Sequence, residues 1–427
     1  MKNALVMGMR LSGVSAAQLL EKKGYSVRKY DDTLEIADNW RDRGEEIYKD
    51  LDLAVISPSI ENGHPVLERL KASGIRVVSE MELGQSELEG VKIVVTGTNG
   101  KTTTVDMLDK ALKVAGLKSR TMGNVGYPVS QVVLDGVKYD YNIIEASSFQ
   151  LEYTYTLRPE YAAFLNIAPD HMDRYPDFNS YFEAKCRPFL AMCATDRAVL
   201  NYDSPRIREL SKRLACETLW VSTKEQTGEF YIKNNYFYMH GQPLVSVKES
   251  RVRGEHNRFN MMAVMNIASI LGAGKEQLKH FVRDYRALPH RIEYIGTFGG
   301  KRYYNDSKGT NIAATTGAID SVEGNIGLIM GGSDKKEDFC DFFLKIIGKV
   351  KYVAVTGANA EKIYGSAMKM GFTDIAVVPS LSEAVYLLKD AEAVDTVLFS
   401  PASASFDRYS GYQERGESFK NTVYALR

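Results

Sequence analysis

Apolar and polar positions alternate in short, regular blocks along this chain, and the blocks predict strands and helices in turn. Within residues 1–90, the runs "NALVMG", "YSVRKYDD", "LDLAVISPSI" and "IRVVSE" are typical of strands, whereas "SGVSAAQLLEKKG" has the spacing of a helix that ends at Gly24. Strands that alternate with helices indicate a parallel sheet with helices on its faces. The first block is therefore predicted to be α/β.

The same alternation predicts two more α/β blocks. After the polar stretch "LGQSELEG" a new strand begins at Val91, and "YNIIEAS", "YAAFLNIA", "AVLNYD" and "TLWVS" follow it as strands. Residues 229–247, "EFYIKNNYFYMHGQPLVSV", predict a β-hairpin with an Asn-Asn turn, and "HNRFNMMAVMNIASILGA" predicts a helix. The proline in "ALPHR" indicates a boundary, after which "RYYNDS", "GNIGLIMGG", "KYVAVTG", "DIAVVPS" and "DTVLFSPAS" again predict strands. Open α/β sheets bind ligands at the carboxyl ends of their strands, so the polar ends of these runs are candidate sites.

Composition narrows the classes of function. The chain has 427 residues, and its 54 Lys and Arg residues balance 54 Asp and Glu residues, which argues against a general nucleic-acid binder. The N-terminus lacks the long apolar segment of a signal peptide, and no run of about 18 apolar residues offers a membrane span. The four cysteines form no C-x-x-C pair, a pattern typical of reduced thiols. We therefore expect a cytoplasmic protein with no nucleic-acid partner and no membrane partner.

The stretch "VTGTNGKTTT", from Val95 to Thr104, predicts a phosphate-binding loop. It is shorter than the usual G-x-x-x-x-G-K-[ST] pattern, because Val95 stands where the first glycine belongs. Backbone N–H groups of such a turn, with a helix N-terminus behind them, form an anion site. Lys101 would reach the terminal phosphates and the Thr102 hydroxyl would hold Mg²⁺. The alternative is an ordinary loop in which Gly-Lys-Thr occurs by chance.

Two other strand ends carry polar groups that could serve a nucleotide. In "GMRLSG", residues 8–13, Arg10 occupies the place of the glycine that lets a backbone approach a pyrophosphate, which weakens a dinucleotide interpretation. A phosphate could still lie at this helix start, with Asp31 or Asp32 ending the next strand, or the loop could be a plain tight turn. Glu145 ends the run "YNIIE" and could hold Mg²⁺ opposite the phosphate loop, or it could cap the segment that follows.

Spacing alone assigns no chemistry to several other polar residues. His171 is typical of a satisfied polar side chain, and Lys185 is typical of a solvated helix lysine with a pKa of about 10.4. Asn257 and Asn260 lie one turn apart near the start of a predicted helix, where they could cap the helix or bind a base edge. The loops "NDSKGTN" and "SPASASFDRYSGYQERG" follow strands and fit binding sites.

Taken together, the motifs resemble one family. "TGTNGKTTT", "EASSFQLE", "DHMDRYP", "GEHNRFN", "LPHRIE", "NDSKGTN" and "SPASASFDRYSGYQERG" occur in the order seen in the Mur ligases, and they look most like those of the D-glutamate-adding members. The resemblance spans all three blocks. It implies a Rossmann-like N-terminal domain for the UDP-substrate over residues 1–90, a central P-loop ATPase-like domain over 91–292, and a Rossmann-like C-terminal domain for the amino acid over 293–427.

The resemblance also implies a reaction. The family phosphorylates a carboxylate with ATP and then forms an amide, which here would add D-glutamate to UDP-N-acetylmuramoyl-L-alanine through an acyl phosphate. Such an enzyme works in cytoplasmic peptidoglycan precursor synthesis, requires Mg²⁺, and is expected to be a monomer that closes on its substrates by domain rotation. Three alternatives are a family member with another amino acid or folate as substrate, a non-catalytic nucleotide switch, and a Rossmann oxidoreductase.

Site residues follow from the family motifs, position by position. The residues implied to bind ATP are Gly97, Thr98, Asn99, Gly100, Lys101, Thr102, Thr103, Asn257, Asn260, Arg291 and Asp306. The residues implied to hold metal are Thr102, Glu145, His171 and Lys185, the last as a carbamate. The residues implied to be catalytic are Lys101, Glu145, His171 and Lys185. The UDP-substrate would contact Arg10, Leu11, Ser12, Asp31 and Asn124. Lys308 and Thr310 would approach the reacting end, and D-glutamate would contact Lys335, Ser405 and Tyr412.

Three positions depart from the family pattern or leave a choice open. Arg10 replaces a frequent glycine, and Tyr412 stands where the family often has Phe. Lys335 is followed by Lys336, so either lysine could make the contact with D-glutamate.

Overall fold

The chain forms two compact units in a computed structural model that describes residues 2–172, 174–334 and 337–426. The first unit comprises Met1–Glu249 and Phe259–Arg283, and the second comprises Ser250–Arg258 and Asp284–Arg427. Each unit is α/β, as the hydrophobic pattern predicts.

The N-terminal part of the first unit is a parallel sheet in the order β2-β1-β3-β4. Its strands are β1 (Lys2–Met7), β2 (Tyr25–Tyr30), β3 (Leu53–Ile56) and β4 (Val77–Ser79). The accompanying helices are α1 (Leu11–Lys22), α2 (Pro65–Ala72) and α3 (Glu80–Gln85), with a 3₁₀ turn at Gly44–Tyr48. The chain leaves β1 toward one side of the sheet and returns to β3 on the other, so the ends of β1 and β3 form a switch point of the kind that binds ligands.

The central part of the first unit is a second parallel sheet, in the order β10-β9-β8-β5-β7-β6. Its strands are β5 (Val91–Thr96), β6 (Ser119–Gly123), β7 (Tyr141–Glu145), β8 (Tyr161–Phe164), β9 (Arg197–Asn201) and β10 (Glu217–Val221). The helices are α4 (Lys101–Val114), α5 (Val129–Asp135), α6 (Ser148–Leu151), α7 (Phe178–Leu190) and α8 (Pro205–Ser211). The second half of β5 is buried on both faces, as the apolar run from Ile93 to Val95 requires, and its end lies between those of β7 and β8.

A small antiparallel sheet follows, made of β11 (Phe230–Lys233), β12 (Tyr236–Met239) and β13 (Gln242–Ser246). The predicted Asn-Asn turn is confirmed: Asn234 and Asn235 have φ angles of 50° and 60°, the positive values that a tight hairpin turn needs. The third strand extends the predicted hairpin to a meander. Helices α9 (Glu255–Ile270) and α10 (Lys275–Asp284) complete this region, and the first turn of α9 belongs to the second unit.

The second unit is built on a sheet in the order β14-β15-β19-β16-β17-β18, in which β14 is antiparallel to β15 and the other pairs are parallel. Its strands are β14 (Glu293–Phe298), β15 (Lys301–Asn305), β16 (Ile326–Met330), β17 (Val350–Val355), β18 (Ile375–Val377) and β19 (Thr396–Phe399). Its helices are α11 (Ile312–Ser321), α12 (Cys340–Ile346), α13 (Ala360–Lys369), α14 (Leu381–Asp390) and α15 (Tyr412–Tyr424). The ends of β15 and β19 bring the two predicted binding loops of this unit to one edge.

Polar contacts join the N-terminal sheet to the central part of the first unit. The Ser79 N–H donates to the Tyr153 carbonyl at 2.8 Å, and the buried Glu82 carboxylate accepts from the N–H groups of Tyr155 and Thr156 at 3.0–3.1 Å. The domain boundary predicted at residue 90 therefore lies inside one compact unit. That boundary and the one at residue 292 stay predictions.

Two expectations from composition bear on this fold. Within the described residues, no helix is both long and apolar enough to cross a membrane. All four cysteines are free thiols, and Cys186 and Cys216 are buried.

Candidate active site

The predicted phosphate-binding loop, called the phosphate-type loop below, begins at the end of β5 and leads directly into α4. Gly100 is the N-cap of α4, with a φ of 86°, and a Cβ at this position would lie 3.0 Å from the side-chain nitrogen of Asn260. Glycine suits both the left-handed backbone and the close approach. The N-terminus of α4 at Lys101 leaves backbone N–H groups without helical partners, which makes this end of the helix an anion site.

Asn166, which follows β8, fixes the shape of the loop. Its side-chain oxygen accepts from the Asn99 N–H at 2.9 Å and its side-chain nitrogen donates to the Asn99 carbonyl at 3.0 Å. The Thr98 N–H donates to the Asn166 carbonyl at 3.0 Å, and the Thr98 hydroxyl lies 3.1 Å from that of Tyr181. Neither Asn166 nor Tyr181 was among the predicted residues. The signal for Asn166 was its position just after a strand, the same signal that marked Glu145.

Two lysines donate to the same backbone carbonyl in this loop. The Lys101 amine lies 2.8 Å from the Gly97 oxygen and the Lys185 amine lies 2.9 Å from it. Lys185 extends from α7 and is only 1% exposed. Burial lowers the pKa of Lys185 well below its usual value, and the charge of Lys101 lowers it further, against the opposing effects of Asp170 and Glu145. The expectation of a solvated helix lysine, drawn from spacing alone, is wrong for Lys185, because α7 packs this face against the loop.

Glu145 ends β7, beside the phosphate-type loop, and is 1% exposed. Its Oε1 accepts from the Asn124 side chain at 2.9 Å, whereas its Oε2 is buried and has no hydrogen-bond partner among the described residues. A buried carboxylate oxygen without a partner is unfavourable, so this position suits a cation. Thr102, which carries the predicted Mg²⁺-binding hydroxyl on the first turn of α4, is also buried.

His171 lies in the turn that follows β8. Its φ of 60° is unusual for a residue other than glycine, and its backbone N–H donates to the Asp170 carboxylate at 3.0 Å. The ring is packed edge-on against Phe149, with centroids 4.7 Å apart, and the side chain is 35% exposed. Among the described residues, no group of three or more His, Cys, Asp and Glu side chains has a metal-binding arrangement.

The second predicted nucleotide site lies at the end of β1. A Cβ on Gly13 would lie 1.8 Å from the Gly8 carbonyl oxygen, so only glycine allows α1 to pack this closely on the loop. Arg10 and Leu11 are exposed at the start of α1 and Ser12 is partly exposed. Asp31 is turned inward: its carboxylate accepts the N–H groups of Met9 at 2.6 Å, Thr33 at 3.0 Å and Leu34 at 2.8 Å. The nucleotide contact predicted for Asp31 stays a prediction.

In the second unit, Asp306 follows β15 and is 6% exposed. Its carboxylate accepts from the Ser400 hydroxyl at 2.7 Å and from the Ile292 N–H at 3.3 Å. Burial raises the pKa of Asp306 to about 7, although Ser400, the charge of Arg291 and the Ile292 N–H act in the opposite direction. A Cβ on Gly309 would lie 2.4 Å from this carboxylate, so the loop "NDSKGTN" closes tightly around Asp306.

The loop after β19 meets the loop after β15 at the same edge. Arg415 is 3% exposed and donates to the carbonyls of Ser307, Ser403 and Ala404 at 2.8–3.0 Å, which joins the two loops. Lys308 extends over the Tyr412 ring, with its amine 4.3 Å from the centroid. Arg415 was not predicted as part of this site, since its acceptors are backbone atoms that no motif reveals.

The remaining predicted residues have different surroundings. Ser405 is 2% exposed, and Thr310 and Arg291 are partly exposed. Asn257 and Asn260 lie inside α9 and so are not its N-cap; Asn257 donates to the Arg253 carbonyl at 2.8 Å.

The predicted D-glutamate contact at Lys335 lies outside the described residues, as does the alternative at Lys336.

Comparison with known proteins identifies the family. The Mur ligase middle domain matches residues 95–268, and the Mur ligase glutamate ligase domain matches residues 290–403. The UDP-N-acetylmuramoylalanine--D-glutamate ligase of Alkaliphilus metalliredigens is 34% identical over 100% of this chain and 98% of its own length. The ligase of the same name from Caldanaerobacter subterraneus subsp. tengcongensis is 34% identical over 100% of this chain and 99% of its own length. This chain is a Mur ligase.

Solved Mur ligases share its fold. The UDP-N-acetylmuramate-alanine ligase MurC of Thermotoga maritima superposes with a TM-score of 0.60 at 17% identity, over 100% of both chains. A pseudomurein peptide ligase type C from Methanothermus fervidus gives 0.62 at 17% identity, also over 100% of both chains. The MurF ligase of Thermotoga maritima, solved in complex with ADP, gives 0.62 at 15% identity over 88% of this chain and 90% of its own. The Mur ligase fold of three α/β domains predicted from sequence is confirmed.

Proposed function

We propose that this Mur ligase is the ATP-dependent enzyme that adds D-glutamate to UDP-N-acetylmuramoyl-L-alanine. One observation carries the proposal: a phosphate-type loop, a buried lysine and a buried carboxylate with an unpaired oxygen meet at one sheet edge, in a chain whose full-length relatives bear the name of that ligase. The loop supplies the means to bind ATP, and the relatives supply the amino acid.

The physical demand of the reaction is to activate a carboxylate beside other anions. A carboxylate is a poor acyl donor, because its oxygen is a poor leaving group. One of its oxygens attacks the γ-phosphorus of ATP and ADP leaves, which gives an acyl phosphate. The D-glutamate amine then attacks the acyl carbon, a C–N bond forms, the bond to the phosphate oxygen breaks, and the amine releases a proton. The products are the amide, ADP and phosphate.

We assign the binding of ATP phosphates to the loop from Gly97 to Thr103, with Lys101 as a cation that would contact them. Backbone N–H groups at the start of α4 favour anions, and a fixed cation favours the charge that develops during phosphoryl transfer. Asn257, Asn260, Arg291 and Asp306 would bind the rest of ATP, as the family motifs imply.

Mg²⁺ would be held by Thr102 and Glu145, with His171 near a second ion. The unpaired Oε2 of Glu145 supports this assignment, because a buried carboxylate oxygen needs a donor or a cation. When bound, Mg²⁺ supplies charge neutralisation for the phosphates and the developing negative charge.

Lys185 would act as a carbamate, formed when its neutral amine attacks the carbon of CO₂, a C–N bond forms and the nitrogen releases a proton. A buried amine beside a second lysine stays neutral more readily than a solvated one, and only the neutral amine has the free electron pair that attacks CO₂. The carbamate would place a negative charge beside Lys101 and the metal, where the neutral amine offers none.

The two organic substrates would bind at the remaining predicted positions. Arg10, Leu11, Ser12, Asp31 and Asn124 would contact the UDP-substrate, and Lys335, Ser405 and Tyr412 would contact D-glutamate. Lys308 and Thr310 would lie near the reacting end. The enzyme would act in the cytoplasm, as a monomer, in peptidoglycan precursor synthesis.

The decisive test is phosphate release with ATP, Mg²⁺ and UDP-N-acetylmuramoyl-L-alanine, with D-glutamate compared against L-glutamate, L-lysine and no amino acid. We expect release that requires both the muramoyl nucleotide and D-glutamate. Release with another amino acid would indicate a different family member. Release with no dependence on D-glutamate would overturn the proposed substrate.

A further inference from the structure

The side chain of Arg174 contacts two segments of the first unit whose relative position matters for the proposed reaction. Its guanidinium donates to the Pro58 carbonyl at 2.9 Å and to the Glu152 carboxylate at 2.9 Å, and its side chain is 8% exposed. The guanidinium carbon lies 4.2 Å from the centroid of the Phe149 ring. A buried arginine with a carboxylate, a carbonyl and a ring face as partners holds one geometry, because its planar fork fixes the direction of each contact.

One side of this arrangement leads to His171. The Phe149 ring that stacks on Arg174 also packs edge-on against the His171 ring at 4.7 Å. The backbone closes the same turn, since the N–H groups of Arg174 and Tyr175 both donate to the His171 carbonyl at 3.0 Å. Arg174 therefore restrains the histidine on its ring side, through Phe149, and on its backbone side.

The other side leads to the loop after β1. Pro58 comes directly after Ser57, whose hydroxyl donates to the Gly8 carbonyl at 2.7 Å and whose N–H donates to the Met7 carbonyl at 2.9 Å. The segment held by Arg174 is thus bonded to the glycine loop proposed for the UDP-substrate. A chain of direct contacts runs from Gly8 through Ser57, Pro58 and Arg174 to Phe149 and His171.

We propose that Arg174 is a positioning residue that aligns the UDP-substrate loop with His171, so that the muramoyl carboxylate arrives where the phosphoryl group is transferred. This inference rests on the proposed function. The UDP end of the substrate and its reacting carboxylate are bound by different segments of the first unit, and a small error between them is expected to weaken binding and slow the reaction. The side chain of Arg174 donates a hydrogen bond to one of these segments and packs on the other.

The test compares the Arg174→Ala and Arg174→Lys variants with the wild type in steady-state kinetics, with each substrate varied in turn. Loss of a charge-assisted hydrogen bond and of the ring contact is expected to raise the KM for the muramoyl nucleotide by about tenfold or more in Arg174→Ala. The Mg²⁺ concentration for half-maximal rate should rise as well, whereas the KM for D-glutamate should not change. Arg174→Lys keeps the charge but not the fork, so it should restore part of the loss.

Arg187 provides a matched control on the neighbouring helix α7. Its guanidinium donates to the Leu151 and Glu152 carbonyls and lies 5.4 Å from the Tyr155 ring, but no contact joins it to Phe149 or Pro58 among the described residues. Arg187→Ala is expected to lower the melting temperature and leave every KM unchanged.

A purely structural role for Arg174 would lower the active fraction, so that kcat falls while all KM values stay at the wild-type level; that result would overturn the inference. If Arg174→Ala does not fold, Arg174→Lys and Glu152→Gln decide in the same assay, because each disturbs the guanidinium site more mildly. A wild type that shows no D-glutamate-dependent turnover would contradict the proposed function instead. In that case a loss of UDP binding in Arg174→Lys, measured by calorimetry, would still test the alignment of the loop.

Discussion

Lys185 in the first unit and Asp306 in the second are both buried ionisable residues, but their surroundings differ. The Lys185 amine donates to the Gly97 carbonyl, and the largest effect of a neighbouring charge on its pKa comes from a second cation, Lys101. Asp306 accepts hydrogen bonds from Ser400 and Ile292, which favour its charged form. Burial drives each group toward neutrality. At Lys185 a second cation acts in the same direction, against the opposing effects of Asp170 and Glu145, whereas at Asp306 the neighbouring donors and cations all act against burial.

This difference separates a reactive group from a titrating one. Burial and the charge of Lys101 lower the pKa of Lys185 well below its usual value, which favours the neutral amine that the proposed addition of CO₂ requires. With a pKa of about 7, Asp306 changes charge near neutral pH. Under the proposed function, the same burial favours a nucleophilic amine in one unit and a pH-sensitive carboxyl group in the other.

The largest expected effect comes from removing the Lys185 amine. Lys185→Ala should lower kcat by about 100-fold or more, since it removes a charged group from the phosphoryl-transfer site. Lys185→Arg should be equally inactive, because a guanidinium keeps a positive charge and forms no carbamate. Removal of CO₂ from the buffers should lower the activity of the wild type, and bicarbonate should restore it.

The control for Lys185 is Lys110→Ala, which removes a surface lysine that pairs with Asp106 on α4 and should leave kcat unchanged. Wild-type activity in Lys185→Ala would contradict the proposed difference between Lys185, as a reactive group, and Asp306. It would also favour a nucleotide switch over a ligase. Activity in Lys185→Arg at the wild-type level would show that a positive charge suffices and that no carbamate is needed.

The contrast between Lys185 and Asp306 also shows what the sequence could reveal. The strands, the phosphate-type loop and Glu145 were predictable, because apolar runs and the polar residues that end them are local signals. The burial of Lys185 was not, because its acceptor Gly97 is 88 residues away and only the packing of α7 brings the two together. Family resemblance supplied the role of that residue, whereas the three α/β blocks were already predicted by the hydrophobic pattern.

Residues that act through backbone carbonyls escaped prediction for the same reason. Asn166, Arg174 and Arg415 each bind main-chain atoms from distant segments, and a carbonyl oxygen has no signature in a sequence. Strand order escaped as well: β19 lies between β15 and β16, although it is the last strand of the chain. Hydrophobic periodicity indicates that a strand exists but not which strand is its neighbour.

A second prediction extends the comparison to a third buried ionisable residue, Glu145. Glu145→Gln keeps the shape and the contact to Asn124 but removes the charge of the buried group whose Oε2 is unpaired. We expect the Mg²⁺ concentration for half-maximal rate to rise about tenfold or more, because Mg²⁺ binding depends on carboxylate charge. The metal-free protein should not lose stability, and relief of an unpaired buried charge could add about 1 kcal/mol to its free energy of unfolding.

Glu82→Gln is the control, since Glu82 is an equally buried carboxylate whose oxygens accept from Tyr155 and Thr156. It should reduce the free energy of unfolding by about 1–3 kcal/mol and leave the Mg²⁺ dependence unchanged. Urea unfolding without Mg²⁺ and rate measurements over a Mg²⁺ series separate the two effects. An unchanged Mg²⁺ dependence in Glu145→Gln would contradict the proposed metal site.

The smallest expected effect concerns stability and tests the titration of Asp306. Its folded pKa of about 7 lies above its usual value of 3.8, so between these values the folded protein holds a proton that the unfolded chain has released. Wild-type stability should therefore fall as the pH rises through this window, by at most about 1.4 kcal/mol per pH unit from this group. Asp306→Asn has no such proton, so its free energy of unfolding relative to the wild type should increase from pH 5 to pH 7.

Asp320→Asn, which changes a surface carboxylate paired with Lys349, should show no such trend. A constant difference between Asp306→Asn and the wild type would mean that Ser400 and Ile292 keep Asp306 charged throughout, and that burial in the second unit does not displace a charge as it does at Lys185.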